Sequence, residues 1–301
     1  MAIEYDGDVI IVTGGAGGLG SAHCRLLAAL GARVVVNDTG GVVDGRGGDP
    51  EAAARVVGQI EADGGTAVAD SSDGSTRHGA AALIEHALDE FGRIDGIVAN
   101  AGILRDKSFA KMEDEDFVAV LEAHLMGTVR VFHAAYPHLE GQQYGRLVAT
   151  TSAAGLFGNF GQTNYSAAKM AMVGLTRSLA LEGARRGIHA NLIAPIARTR
   201  MTEALMPSEM AELLAPEKVS PLVALLCHRS CALNGEIFSA GGGRFARVRV
   251  GVGHGVVLPE ATVDSLDAAL DDLLEDTELE FPADAGGEAA VMAGTLAAAK
   301  K

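Results

Sequence analysis

Tryptophan is missing from the chain and all aromatics together make up 4% of its 301 residues, which excludes the aromatic-lined platforms of carbohydrate-binding β-sandwiches. Cysteine is equally scarce. Cys24, Cys227 and Cys231 are too few for a disulfide framework, and the first ten residues, MAIEYDGDVI, contain neither a basic n-region nor an apolar signal core. A reducing cytoplasm is therefore the expected compartment. Basic residues are outnumbered 24 to 39, and a net charge of -15 repels phosphate backbones and anionic lipid surfaces, so a nucleic-acid partner is not expected. The deficit is concentrated near the end: residues 251–299 hold eleven acidic side chains and no Lys or Arg. The longest charge-free stretch, between Arg146 and Lys169, is filled with Gly, Ser, Thr, Asn and Gln, so no membrane span is read there. The terminal AKK is not a peroxisomal address.

Glycine, by contrast, is abundant, with 39 residues that suit an α/β fold of tight turns. Short β-branched runs alternate with helical-period segments, the signature of a parallel sheet wound on both faces. Strands are expected at 9–13, 33–37, 66–69, 94–100, 145–152, 188–194 and 235–240, seven in all. The first helix, near 18–30, places Leu19, Ala22, Leu26, Ala29 and Leu30 on one face and stops at Gly31. No linker divides residues 1–243, which read as one domain. After Gly241-Gly242-Gly243 an extension, 244–301, reads as a short strand, a helix opened by Thr262 with Leu266, Ala269, Leu270, Leu273 and Leu274 in a stripe, and a loose alanine-rich end.

Residues 13–20, TGGAGGLG, follow the first strand and open the first helix, so Gly14, Gly18, Leu19 and Gly20 stand where a pyrophosphate meets a helix N-terminus. Asp38 ends the second strand, where a carboxylate accepts hydrogen bonds from ribose hydroxyls and repels a 2'-phosphate. That favours NAD over NADP as cofactor. Asn100, Ala101 and Gly102 close the fourth strand at the ligand-binding edge of such sheets. Tyr165 and Lys169 lie four apart on one helix face, with Ser152 ending the fifth strand.

TGxxxGxG, NAG, a serine and YxxxK in this order resemble the short-chain dehydrogenase/reductase family over residues 8 to about 243. The resemblance implies a Rossmann-type, doubly wound, seven-stranded parallel sheet with helices on both faces, and a homodimer or homotetramer. It also implies roles for the site residues. Tyr165 would take the alcohol proton, Lys169 would supply the cation that makes a phenol a usable base and hold the nicotinamide ribose, and Ser152 would orient the reacting oxygen. Tyr165, Lys169 and Pro195 fall among the implied cofactor contacts. Where the family places an Asn in Asn-Leu-x-Gly, this chain has His124-Leu125-Met126-Gly127. His124 either holds the same proton-relay water through its imidazole or carbonyl, or packs as an ordinary helix histidine.

VVVNDTGG, NAGILRDKSF, TSAAGLFGNFGQTNYSAAK and IAPIARTRMT are similar, more narrowly, to the (3R)-hydroxyacyl-CoA dehydrogenase units of the peroxisomal multifunctional enzymes. An acyl-CoA substrate in lipid or sterol side-chain degradation is the implied chemistry, with a hydroxysteroid dehydrogenase and a catalytically idle nucleotide sensor as alternatives. Phe157, Phe160, Met201, Leu205 and Met206 fall in the segments that the family uses for its substrate pocket. Arg105, Lys107, Arg198 and Arg200 could meet CoA phosphates, or pair with neighbours such as Asp106, Glu113 or Glu203. Cys227, His228 and Cys231 crowd one helix without a recognisable metal spacing, so no metal is expected.

Overall fold

A computed structural model describes residues 3–199 and 212–299. The chain divides into two compact units, residues 1–247 and 248–301. In the first unit the order is β1 (Val9–Thr13), α1 (Gly18–Ala29), β2 (Arg33–Asn37), α2 (Ala52–Ala62), β3 (Thr66–Asp70), α3 (Arg77–Phe91) and β4 (Gly96–Ala99). It continues with α4 (Asp114–Leu121), α5 (Gly127–Gln142), β5 (Gly145–Thr150), α6 (Ala153–Phe157), α7 (Thr163–Gly183), β6 (Ile188–Pro195), α8 (Ser220–Cys227), β7 (Ile237–Gly241) and β8 (Arg244–Val248). The sheet runs β3-β2-β1-β4-β5-β6-β7-β8, and β1 to β7 are mutually parallel. The fold is the expected doubly wound α/β sheet, with one correction. It has eight strands, because the segment read as the start of the extension turns back through Gly242 and Gly243 and joins the sheet edge beside β7.

Strands β1, β4 and β5 are buried at every residue, which is why they read as apolar runs rather than alternating ones, with buried Arg146 of β5 the exception, its guanidinium donating to the carbonyls of Gly145, Gly187 and Arg229. Ile10 and Val12 of β1, Val34 and Val36 of β2 and Val148 of β5 share one core with α1, α2 and α8. The alternate residues face the other helical layer, in which α3 packs on α5 and α4 on α7. Helix α1 is rotated from the expected stripe: Cys24, Leu27 and Ala28 are buried, Leu19, Leu26 and Leu30 are partly buried, and Ala29 is exposed. Small side chains let the helix approach the sheet closely, whereas a hydrophobicity count favours the bulkier leucines.

The run 114–142 is the one segment among the described residues with the length and mean hydropathy to cross a membrane. Its first turn carries Asp114, Glu115 and Asp116, and it buries Val131, Phe132, Ala135 and Leu139 in the protein core. In the second unit a short antiparallel pair joins β9 (Val252–Gly253) to β10 (Leu279–Glu280). Thr262 caps α9 (Val263–Ala268), which is followed by α10 (Leu270–Glu275), so the expected helix is two short ones. The alanine-rich end is not loose. It forms α11 (Ala285–Ala298), capped by Asp284, whose side chain accepts from the Gly287 amide at 2.8 Å.

Candidate active site

Strand β1 lies between β2 and β4, so the crevice at its C-terminal end is where the winding of the sheet reverses. Thr13 fastens that crevice. Its hydroxyl accepts from the amides of Asn100 and Ala101, both at 3.1 Å, and Asn100 Nδ2 donates to the carbonyls of Thr13 and Gly14, each at 3.2 Å. The closeness excludes side chains: Gly14 has φ +65°, a Cβ there would come within 2.8 Å of Ala101 Cα, and one on Gly20 would collide with the Gly14 carbonyl. Helix α1 begins at Gly18 with no side-chain cap from Gly17, leaving its first amides for a ligand.

Asp38 closes the outer side of the turn. One carboxylate oxygen accepts from the Ala16 amide at 2.9 Å and the other from the Gly40 amide at 2.7 Å, and each keeps a further lone pair. A cavity of about 560 Å³ opens here. Gly14, Gly18, Leu19, Gly20, Asp38 and the Asn100–Gly102 segment all line it. Uncapped amides, a glycine cradle and a carboxylate at the end of β2 fit a dinucleotide. Pro195, at the end of β6 opposite Ala240, does not line this cavity.

Ser152 follows β5 and caps α6, its hydroxyl accepting from the Ala154 amide at 3.2 Å. Two bonds stitch this strand end to α7: Lys169 Nζ donates to the Thr150 carbonyl at 2.6 Å, and the Thr151 hydroxyl donates to the Lys169 carbonyl at 2.6 Å. Tyr165 thereby comes within hydrogen-bonding reach of Ser152, and that bond pulls the phenol downward. Burial outweighs it, and with the nearby charge of Asp106 it sets Tyr165 above its usual value. Lys169 is buried, with Nζ 5.6 Å from the centre of the Tyr165 ring. Desolvation pushes its amine down from 10.5 to about 7.

His124 sits in a π turn, Glu122–Met126, between α4 and α5. Its ring meets Tyr165 edge to face, with centroids 5.1 Å apart, and fills the space a Cβ on Gly102 would need. Nε2 lies 2.8 Å from the Ile103 carbonyl and 3.1 Å from its amide, whereas buried Nδ1 has no hydrogen-bond partner among the described residues. Burial, with Lys169 adding to it, holds the imidazole well below its usual range and therefore neutral. The His124 carbonyl accepts from the Thr128 hydroxyl at 2.8 Å.

The expected substrate-side residues are dispersed. Phe157 and Phe160 are 75% and 90% exposed, beside neither the cavity nor the core. Lys107 pairs with Asp116 at 2.8 Å and Glu113 at 3.6 Å, and Arg105 pairs with Asp116 at 3.4 Å. Arg198 is half-buried, and Arg200, Met201, Leu205 and Met206 lie outside the described residues. His228 is bound by the Ser230 hydroxyl at 2.7 Å and the Glu4 carbonyl at 3.0 Å between two buried cysteines, a packing arrangement.

Sequence reasoning passed over Thr13 and Asn164. Fully buried Asn164 accepts from the Tyr165 amide at 2.8 Å and donates to the Arg105 carbonyl at 3.0 Å, seating the start of α7. Its position next to the tyrosine was the only available signal.

A dinucleotide crevice beside a Ser-Tyr-Lys cluster defines an oxidoreductase acting on CH–OH donors. Residues 8–210 match the short chain dehydrogenase family, and the chain belongs to it. A short-chain type dehydrogenase/reductase of Mycobacterium tuberculosis is 54% identical over 240 residues, 80% of this chain and 84% of that protein. Mouse peroxisomal multifunctional enzyme type 2 is 48% identical over 249 residues, 82% of this chain but 33% of the enzyme, so the chain corresponds to one third of it. The crystal structure of a short chain dehydrogenase from Mycobacterium avium matches with a TM-score of 0.80 at 40% identity, covering 92% of this chain and 97% of that one.

Proposed function

We propose that this protein uses NAD to oxidise the secondary alcohol of a (3R)-hydroxyacyl-CoA to the 3-ketoacyl-CoA. The observation that carries the reading is the placement of Ser152, Tyr165 and Lys169 at one end of β5 and α7, with His124 spanning from Tyr165 to the Gly102 wall of the dinucleotide cleft. When bound, the nicotinamide supplies the hydride acceptor. Gly14, Gly18, Leu19 and Gly20 would hold the pyrophosphate against α1, Asp38 would take the adenosine ribose hydroxyls, and Asn100 to Gly102 would border the remainder. Ser152 Oγ would donate to the carbinol oxygen, Tyr165 would take its proton as the phenolate, against the burial that favours the phenol, and the Lys169 ammonium would stabilise that phenolate and hold the second ribose. Burial favours the neutral amine, whereas these roles call for its protonated form.

Asp38, Asp73 and Glu122 against Arg105 leave the described cleft lining net negative, which supports NAD rather than a 2'-phosphorylated cofactor. The acyl-CoA substrate rests on the motif resemblance and on the exposed rings of Phe109, Phe157 and Phe160, which would meet an acyl chain. Lys107, 42% exposed, is the cation offered to a CoA phosphate. We also infer a homodimer, because no described residue of 248–299 is buried and Leu266, Leu270, Leu273, Leu274, Met292 and Leu296 are all exposed.

Absorbance at the NADH band, recorded against 3-hydroxyacyl-CoA thioesters and a set of hydroxysteroids, tests the substrate. The thioesters are expected to turn over faster; faster turnover of a hydroxysteroid would transfer the assignment to steroid oxidation.

A further inference from the structure

We propose that Arg105 is a positioning residue that latches the glycine-rich loop 39–49 over the cofactor cleft, governing the grip on the dinucleotide rather than contacting a substrate phosphate. The proposal rests on the reading that this cleft takes NAD.

The loop connects β2 to α2 and lines the cavity through Thr39, Gly41, Val42, Val43, Gly45 and Gly47. It is closed on itself by the Val42 amide to the Arg46 carbonyl at 3.0 Å and the Asp49 amide to the Gly40 carbonyl at 3.1 Å. Its far side belongs to β2, yet its tip is fastened to the segment leaving β4. The Leu104 amide donates to the Val43 carbonyl at 2.9 Å, and Arg105 Nε donates to the Asp44 carbonyl at 3.1 Å. Ile103 packs so closely that a Cβ on Gly45, which has φ +84°, would stand 2.9 Å from its Cγ2. The loop thus bridges the two walls of the crevice in which β1 ends.

Arg105 is the joint of that bridge. Beyond Asp44, its Nη1 reaches Asp116 of α4 at 3.4 Å, and its own carbonyl accepts from Asn164, the residue before Tyr165. The side chain is 21% exposed and is the sole cation among the described residues lining the cleft. A guanidinium that offers a fixed fork to one carbonyl and one carboxylate holds a geometry that a flexible ammonium does not. Lifting the loop to admit or release a dinucleotide breaks the Arg105 to Asp44 bond, so removing the guanidinium should shift the loop toward open and raise the cofactor dissociation rate.

The test uses the full chain with Arg105→Met, Arg105→Lys and Gly45→Val, the last forcing the loop off Ile103 from the opposite side. NAD affinity is measured by calorimetry without substrate, NADH release by stopped-flow fluorescence, and folding by urea midpoint. Arg105→Met and Gly45→Val are each expected to weaken NAD binding on the order of tenfold, with faster release and a KM for NAD that rises more than kcat falls; the midpoint stays unchanged for Arg105→Met and falls for Gly45→Val, whose φ of +84° strains a β-branched residue. Arg105→Lys should recover part of the loss. Wild-type NAD affinity in both folded variants would overturn the proposal. So would a raised KM for the CoA thioester with NAD affinity intact, since that returns Arg105 to the substrate. Should Arg105→Met fail to fold, Arg105→Lys and Gly45→Val decide by the same criterion. A wild-type protein with no NAD affinity would refute the cofactor reading itself, and this proposal with it.

Discussion

Replacing Lys169 with Met should make the unliganded protein more stable while removing its activity. Lys169 is 3% exposed, no carboxylate among the described residues pairs with its amine, and burial lowers the pKa of that amine from 10.5 to about 7. At about 1.4 kcal/mol per decade, the buried ammonium costs roughly 5 kcal/mol below pH 7. The cost shrinks as pH rises from about 7 to 10.5, because in that range the unfolded chain holds the proton and the folded chain does not. Met fills a similar volume but gives up the bond to the Thr150 carbonyl, a loss of about 1–3 kcal/mol. The net expectation is a stabilisation of about 2–4 kcal/mol at pH 6, declining to nothing or reversing by about pH 10. Urea denaturation of the variant and the wild type at about pH 6, 8 and 10, without cofactor, measures this difference. If Lys169→Met gains no more over the wild type at the acidic end than at the alkaline end, the burial argument is refuted. A stabilised but inactive variant is the pattern of a site that trades stability for chemistry.

If the phenol is the proposed base, Tyr165→Phe should lower turnover on the order of 10²–10⁴ while NAD affinity and the urea midpoint stay near wild type, since only one hydroxyl is lost; unaltered turnover would remove Tyr165 from that role. Asp38→Ala should narrow the preference for NAD over NADP and weaken NAD itself, because the carboxylate also holds the Ala16 and Gly40 amides; calorimetry with both cofactors reads the ratio. Lys107→Ala should raise KM for a CoA thioester but not for a truncated thioester without phosphates, and equal effects on both would leave Lys107 with only its partners Asp116 and Glu113. Deleting residues 249–301, after the last strand of the sheet, should weaken self-association in light scattering if the exposed leucines form the dimer contact.

The seven parallel strands were legible because central strands buried on both faces are continuous β-branched runs bounded by glycines. The eighth was legible as a short strand but not as a member of the sheet, because β8 leaves Phe245 and Arg247 exposed and so reads like part of a detached extension. The unit boundary accordingly falls at 247 rather than 243. Helix α11 was missed although Asp284 stood in the capping position, since an alanine-rich run without an apolar stripe offers no periodicity. Local spacing pointed to Ser152, Tyr165 and Lys169, which the structure gathers at the end of β5, and to Asp38 and the glycine turn, which line one cavity. What stayed hidden depends on contacts distant in sequence. Asp116 claims Arg105 and Lys107, Thr13 grips Asn100 and Ala101 across 87 and 88 residues, and His124 wedges against Gly102 through a π turn that residue types do not announce.

The most direct test is the initial rate of NADH formation from a matched pair of (3R)- and (3S)-hydroxyacyl-CoA thioesters with wild-type protein. The account predicts turnover of the (3R) thioester with NAD, little with NADP, and little of the (3S) thioester with either. Preference for the (3S) thioester, or no reduction of NAD by either, would contradict it.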